Sequence, residues 1–175
     1  MCNREMEDMG THDLDAQVNP ETFSISQLKN FDHKADVKMD PAIFREAARR
    51  LRFRPTADMF ASASHHQLPR YYAVRHDPKA IGINAFQYDW KREWAPYANP
   101  PWDLIGAVLT KVAHDKVTVM SVIPEWPQAP WYPQWQRLCV RSVLYTIPVF
   151  LDAQGNLPPR PRWNTRIGIL DGNRA

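Results

Sequence analysis

The stretch VTVMSVI, residues 117–123, constrains the fold of this chain more than any other segment. It is nearly all apolar and rich in β-branched side chains, so it lacks the polar alternate positions of a half-exposed strand. A strand that is apolar on both faces is typical of the centre of a parallel sheet, where helices cover both sides. The segment therefore predicts a layered α/β domain with this strand near its middle.

The segments around this strand alternate between helical and extended patterns. Residues 103–114 carry apolar side chains at helical spacing, and an earlier helix begins with Asp40 as N-cap and Pro41 at its first position. Further strands are predicted at 56–61, 83–90 and 95–98, an antiparallel hairpin at 141–151 with 165–170, and loops at 62–80 and 124–135. This alternation predicts an α/β fold with a mixed sheet that is parallel at the centre and carries an antiparallel edge hairpin.

Composition narrows the class of protein. The 175 residues are 44% hydrophobic and 23% charged, which is typical of one globular domain and excludes a disordered chain. Residues 1–22 lack hydrophobic periodicity and are predicted to be a flexible tail, which leaves 23–175 as a single domain. Two cysteines, Cys2 and Cys139, are too few for a disulfide framework or a zinc site and favour a reducing, intracellular compartment. No apolar run approaches the roughly 20 residues of a membrane helix, so no membrane partner is expected.

Arginines line the polar face of the first predicted helix. They are Arg45, Arg49, Arg50 and Arg52. A run of this kind is either a solvated helix face or a surface that contacts the phosphates of a nucleic acid. The formal net charge of +3 is compatible with a polyanionic partner. These arginines are therefore the candidate nucleic-acid contacts.

The stretch YANPPW, residues 97–102, suits neither a helix nor a strand. Pro100 and Pro101 fix their backbone φ near −65° and donate no hydrogen bonds, so they hold Asn99 and the nearby carbonyls at set positions. Such acceptors match an exocyclic amine with two N–H groups, and Trp102 offers a face on which a base stacks. The alternative is a rigid loop with a buried tryptophan.

Four segments together resemble a known family: DMFASASHHQLPRYY, NAFQYDW, YANPPW and PEWPQAPWYPQW. Asn-Pro-Pro-aromatic is the catalytic motif of methyltransferases that act on adenine N6 or cytosine N4. The run as a whole is similar to phage-type DNA N6-adenine methyltransferases, above all to the domain found in polyproteins of DIRS/Ngaro-type tyrosine-recombinase retroelements. The resemblance covers roughly residues 36–138.

The resemblance implies a Rossmann-like, class I methyltransferase-like sheet and S-adenosylmethionine as the cofactor. By position, Asp58, Phe60, Ala61 and Asp89 would bind the cofactor. Asn99 with the backbone of Pro100 and Pro101 would hold the target amine, and Trp102 would stack on the target base. The implied reaction is direct methylation of an adenine amine, and the implied partner is DNA or an RNA/DNA intermediate, from which a paired base has to be flipped out.

Two other classes of function remain open at this stage. One is a non-catalytic nucleic-acid-binding or structural domain of a retroelement reverse transcriptase polyprotein, which would use the arginines and exposed tryptophans. The other is a two-metal nuclease of the RNase H type, since retroelements carry one. Its carboxylates would be Asp58, Asp89, Asp103 and Glu125, and they would have to converge within a few ångströms.

Overall fold

The computed structural model describes residues 38–152, 155–156 and 163–175. The tail predicted at 1–22 lies outside the described residues. The described helices are α1 (Pro41–Arg50), α2 (Ile105–Asp115) and α3 (Tyr132–Leu138). The described strands are β1 (Lys38–Met39), β2 (Ala57–Ala61), β3 (Tyr71–Ala73), β4 (Gly82–Ile83), β5 (Pro96–Ala98), β6 (Thr118–Pro124), β7 (Cys139–Tyr145), β8 (Phe150–Leu151) and β9 (Thr165–Asp171).

Seven of these strands form one sheet in the order β4-β3-β2-β5-β6-β9-β7. The five strands from β4 to β6 are parallel to one another, and β9 is antiparallel to both β6 and β7. Strands β1 and β8 form a separate antiparallel pair. The predicted α/β class, with a sheet that is parallel at its centre and antiparallel at one edge, is confirmed.

The five parallel strands give the sheet two chemically different edges. Ala61 of β2 and Ala98 of β5 end at one of them, which we call the carboxyl edge. The opposite edge, where the parallel strands begin, we call the amino edge. The chain passes there from α1 into β2, and from the end of α2 at Asp115 into β6. Helix α1 therefore runs from the carboxyl edge to the amino edge, over about 15 Å for ten residues.

Strand β6 is buried on both faces, as its composition predicted. Val119 and Ile123 belong to the core on the α2 side, whereas Met120 and Val122 pack with the residues of α1. Burying a large aliphatic or methionine side chain stabilises the fold by about 1.5–3 kcal/mol. Helix α1 begins as predicted, because Asp40 Oδ1 accepts the Ala42 N–H at 2.9 Å.

The strand predicted at 83–90 is wrong beyond Ile83. Asn84 takes a left-handed backbone conformation (φ 62°), and its side chain accepts the Phe86 N–H at 3.1 Å. Two short 3-10 turns follow, Ala85–Gln87 and Trp90–Arg92. The local hydrogen bond of Asn84 replaces the ladder bond of a strand and ends β4 after two residues.

Three further expectations need correction. The loop predicted at 62–80 contains β3, and the loop predicted at 124–135 contains the start of α3. The predicted edge hairpin itself is confirmed, because β7 and β9 pair antiparallel and β7 is the outermost strand. The predicted strand 141–151 is interrupted after Tyr145, and its last residues form β8, which pairs with β1.

Candidate functional site

A cavity lies between β2 and β5 near the carboxyl edge, on the side of the sheet covered by α1. Its volume is about 50 Å³, and it opens to solvent. Four residues predicted from the sequence line it: Asp58, Phe60, Ala61 and Asn99. The others are Lys38, Met39, Ser62, His65, Gln67 and Tyr97.

Asp58 is buried, and both of its carboxylate oxygens accept backbone hydrogen bonds. Oδ1 accepts the Phe60 N–H at 3.2 Å, and Oδ2 accepts the Gln67 N–H at 2.9 Å. Burial raises the pKa of this carboxyl to about 7, although the two N–H groups and the charge of Lys38 act to lower it. Asp58 therefore fastens the chain that follows β2 to the strand itself.

That following chain is a tight turn without glycine. Ser62 and His65 exchange backbone hydrogen bonds at 3.1 and 3.3 Å, and the Ser62 hydroxyl also accepts the His65 N–H at 3.1 Å. The ring of His66 stacks on Tyr71 with centroids 4.3 Å apart. The backbone N–H groups of Ser62 and His65 are therefore used in hydrogen bonds within the turn. They do not form a glycine-rich loop that binds a ligand through its backbone.

Asn99 is half-buried at the cavity and stands two residues after Tyr97, on the same face of the chain. Tyr97 is buried, and its hydroxyl contacts Met39 Sδ at 3.6 Å. Burial and the nearby charge of Asp58 raise the pKa of Tyr97, and a hydrogen bond with the Asn99 side chain opposes that rise. Asp58, Tyr97 and Asn99 therefore form one polar group inside the cavity.

The remaining residues of the Asn-Pro-Pro-Trp segment contribute to the start of α2 and to core packing. The Pro101 carbonyl accepts the Leu104 N–H at 2.9 Å and so starts the 3-10 turn that leads into α2. Trp102 is half-buried, with its ring in edge contact with Trp126 at 6.4 Å and with Phe150 at 5.9 Å. Trp102 packs against both cores of the molecule, and it does not line the cavity.

Asp89 lies away from the cavity. It is exposed and caps the 3-10 turn Trp90–Arg92, accepting the Lys91 N–H at 2.9 Å. The next residue, Trp90, donates its backbone N–H to Asp115 at the end of α2. Asp89 therefore borders a groove on the α2 side, together with His114 and Asp115. The structure does not bring it to Asp58 and Asn99.

The predicted nucleic-acid contacts, Arg45, Arg49, Arg50 and Arg52, are all exposed. Arg50 lies 3.7 Å from Glu46 and over the ring of Tyr145. Arg52 follows α1 in a left-handed conformation (φ 54°). The last arginines of this group therefore stand at the amino edge, and Asn99 lies at the carboxyl edge.

The four carboxylates of the nuclease hypothesis do not converge. Glu125 is engaged by Arg166 and accepts the Tyr132 hydroxyl at 2.6 Å. Asp58 lies in the cavity, Asp89 borders the other groove, and Asp103 lies in the 3-10 turn before α2 and lines neither. Within residues 38–152, 155–156 and 163–175, no three His, Cys, Asp or Glu side chains are grouped so that they could hold a metal ion.

Several cavity residues were not predicted from the sequence. Tyr97 could have been found, because alternate residues of a strand share a face and Asn99 had been singled out. Lys38, Met39 and Gln67 could not, because they reach the cavity only through tertiary contacts such as the bond from the Gln67 side chain to the Met39 carbonyl at 2.6 Å.

Two comparisons with known proteins find no relative of this chain. A scan against models of protein families finds no match, and a search of curated proteins finds none either. Over the part of the chain that the structure describes, no helix combines the length and the apolar character needed to cross a membrane.

Proposed function

We propose that this chain is an S-adenosylmethionine-dependent DNA N6-adenine methyltransferase-like domain, of the kind found in retroelement polyproteins. The supporting observation is the position of Asn99, which follows β5 directly and faces the end of β2 across one cavity. Asp58, Phe60 and Ala61 of β2 are far from Asn99 in the sequence, and the parallel pairing of β2 with β5 brings them to one cavity.

The order of the parallel strands supports a Rossmann-like sheet. Counted from β2 along the chain, the five parallel strands stand in the order 3-2-1-4-5, which is the order of the first five strands of a Rossmann sheet. The order reverses between β2 and β5, and ligands of such sheets bind outside the carboxyl ends at that reversal. The cavity lies beside this position.

The cavity residues suit one side of the cofactor and a small polar group. The enclosed 50 Å³ is far below the roughly 300–1,000 Å³ of a pocket for a drug-sized ligand, so most of the cofactor would occupy the open mouth. Phe60 offers an apolar surface there, and Ala61 leaves room at the end of β2. Asp58 would act by holding the Ser62–Gln67 segment in place, because both of its oxygens already accept backbone N–H groups.

In the proposed reaction the bound cofactor would supply a methyl group on a sulfonium: the sulfur–methyl bond breaks to leave a thioether, the nitrogen–methyl bond forms, and the amine releases one proton to water. The Asn99 side-chain oxygen and the Pro100 carbonyl would accept the hydrogen bonds of the amine. These bonds localise the nitrogen lone pair and orient it, which is catalysis by positioning. Trp102 would fix the start of α2 and the direction in which this Asn-Pro-Pro segment points.

Calorimetry and methyl transfer test the proposal in two steps. Titration of the full chain with S-adenosylmethionine is expected to give heat at millimolar ligand or below. Labelled methyl transfer to a single-stranded, adenine-containing oligonucleotide is then expected for the wild type and lost in Asn99→Ala, whereas Asn173→Ala, at an exposed asparagine of the amino edge, retains it. Absence of heat would exclude the enzyme, and equal transfer by Asn99→Ala would remove the role of Asn99.

A second candidate is a nucleic-acid-binding domain that does not catalyse. It is favoured by the glycine-free turn after β2, whose amides bond within the turn, and by the arginines at the edge opposite Asn99. Oligonucleotide binding by a chain that gives no heat with S-adenosylmethionine would support it.

A further inference from the structure

Trp94 is the most exposed large hydrophobic side chain of the described residues. Its relative exposure is 92%, whereas Trp90, Trp126, Trp131 and Trp135 are at most 2% exposed. It stands two residues before β5, at the amino edge of the sheet. At this exposure the indole contributes nothing to core packing and leaves its ring open to contact with a ligand.

Register places further cations beside Trp94. Thr56 and Ala95 are joined by a backbone hydrogen bond of 2.7 Å, and Ala57 pairs with Pro96. Because the strands are parallel, continuing this register places Arg54 beside the segment Glu93–Trp94. Lys91 and Arg92 belong to the turn Trp90–Arg92 and precede Trp94 by three and two residues, and the Arg92 guanidinium lies over the ring of Tyr88.

The amino edge is basic, and two of its carboxylates are already engaged in ion pairs. We call the exposed residues Arg52, Arg54, Lys91, Arg92, Trp94 and Lys116 the amino-edge surface. Glu93 and Asp115 belong to the same edge, but Glu93 is buried against Arg70, and Asp115 is buried against Lys111 at 3.1 Å. Asp89 is exposed there and Asp171, at the end of β9, is half-buried, so these two carboxylates offset two of the positive charges. The surface therefore carries exposed positive charge around an exposed aromatic ring.

The backbone that carries Trp94 is held rigidly. Glu93 accepts two hydrogen bonds from Arg70, at 2.6 and 3.1 Å, and one from the Tyr72 hydroxyl at 2.5 Å. Ala95 donates its N–H to the Thr56 hydroxyl at 2.9 Å. Residues on both sides of Trp94 are thus fixed to neighbouring strands, so less conformational entropy is lost when a ligand contacts the ring.

We infer that the amino-edge surface is a binding site for single-stranded nucleic acid, in which a base stacks on Trp94 and the cations contact the phosphates. Unpaired bases present their faces to an aromatic ring, and bases within a duplex are already stacked on each other. A polyanion with flat, accessible rings matches both parts of the surface.

This site is separate from the cavity. Trp94 and Asn99 are five residues apart along an extended chain, which corresponds to about 16 Å, and they lie at opposite edges of the sheet. A base stacked on Trp94 is therefore not the base held at Asn99. The inference stands independently of the proposed methyltransferase function.

Fluorescence anisotropy of a labelled 20-nucleotide thymidine strand with the full chain tests the inference. Stacking on one aromatic ring contributes about 1–3 kcal/mol, so Trp94→Ala is expected to weaken binding by about 5- to 150-fold, and Trp94→Phe by less than threefold. The control Leu144→Ala removes an exposed apolar side chain from β7 and is expected to leave binding unchanged.

The salt dependence tests the cations. The double variant Lys91→Ala/Arg92→Ala is expected to reduce the slope of log K against log salt by about 1.4, since each phosphate contact to a single strand contributes about 0.7. Unchanged binding by Trp94→Ala would overturn the inference. So would Trp94-dependent binding of polyglutamate or of phosphatidylserine vesicles by a chain that does not bind the oligonucleotide.

A titration with S-adenosylmethionine separates this inference from the proposed function. Trp94→Ala is expected to give the same heat as the wild type. If neither gives heat while strand binding depends on Trp94, the methyltransferase proposal fails and the amino-edge site remains.

Discussion

Gln67 donates its backbone N–H to Asp58 Oδ2 at 2.9 Å, although the two residues are nine positions apart. The bond closes the segment after β2 back onto the strand, and it shapes the wall of the cavity that faces Asn99. A buried carboxyl group performs this task, and from its raised pKa we expect the stability of the fold to depend on pH.

We expect Asp58 to lower the stability of the domain as pH rises from about 4 to about 7. Its pKa in the folded state is raised from 3.8 to about 7, so in this range the folded chain binds a proton that the unfolded chain has lost. The free energy of unfolding therefore falls with rising pH in that window. Asp58→Asn, measured by urea unfolding at pH 4.5, 6 and 8, is expected to flatten this part of the profile.

Asp89→Asn is the matched control, because Asp89 is exposed and asparagine also caps a turn. An unchanged pH profile in Asp58→Asn would show that Asp58 does not titrate in this range.

Glu93→Gln is expected to destabilise the fold by about 2 kcal/mol. The side chain of Glu93 is 2% exposed and accepts hydrogen bonds from Arg70 and Tyr72, and bonds to a charged group contribute about 1.5–3 kcal/mol each. Arg70 is half-exposed, so water solvates its guanidinium when the pair with Glu93 is broken. The expected loss of stability is therefore at the lower end of this range. Urea unfolding at pH 7 measures it.

The comparison is Glu46→Gln, which removes the exposed Arg50 pair at 3.7 Å but keeps a side-chain oxygen to accept the Tyr145 hydroxyl, bonded to Glu46 at 2.9 Å, so it is expected to cost less than 1 kcal/mol. Equal losses in the two variants would mean that Glu93 does not fix the backbone at Trp94.

Gly172→Ala is expected to destabilise the chain more than Gly168→Ala. A Cβ at Gly172 would lie 2.1 Å from the Val112 carbonyl oxygen, which is backbone and cannot rotate away. A Cβ at Gly168 would lie 2.7 Å from the ring of Trp135, a side chain that can tilt. Overpacking costs about 1–3 kcal/mol, so we expect the upper end for Gly172, about 6–12 °C in Tm.

Thermal unfolding followed by circular dichroism ranks the two variants. A larger loss of Tm in Gly168→Ala than in Gly172→Ala would show that the backbone of α2 shifts more easily than the ring of Trp135.

Trp102→Ala is expected to lower the free energy of unfolding by about 2 kcal/mol, and Trp102→Phe by less than 1 kcal/mol. The ring contacts Trp126 and Phe150 and joins the two cores, so its removal leaves a cavity. Chemical unfolding of both variants measures this. A platform used only for base stacking would give wild-type stability in Trp102→Ala.

Local sequence patterns determined the elements whose causes are local. Asp40 and Pro41 predicted the start of α1, the apolar spacing at 103–114 predicted α2, and the composition of 117–123 predicted a central strand. Strand β3 was missed because three residues, Tyr71–Ala73, are too short to show a period. The strand predicted at 83–90 failed because the side chain of Asn84 bonds to its own neighbouring backbone.

The candidate site was predictable only in part. The sequence marked Asp58 and Asn99, and the parallel pairing of β2 with β5 then set them around one cavity. The sequence also marked Asp89 and the predicted arginines, but the structure places them away from the cavity. The side of the sheet on which each residue lies depends on strand order and helix direction, which the sequence pattern did not show. Residue types and local periods were enough to determine a parallel α/β sheet with an Asn-Pro-Pro-Trp segment. Only long-range hydrogen bonding between strands decided which side chains share a cavity and which share an exposed edge.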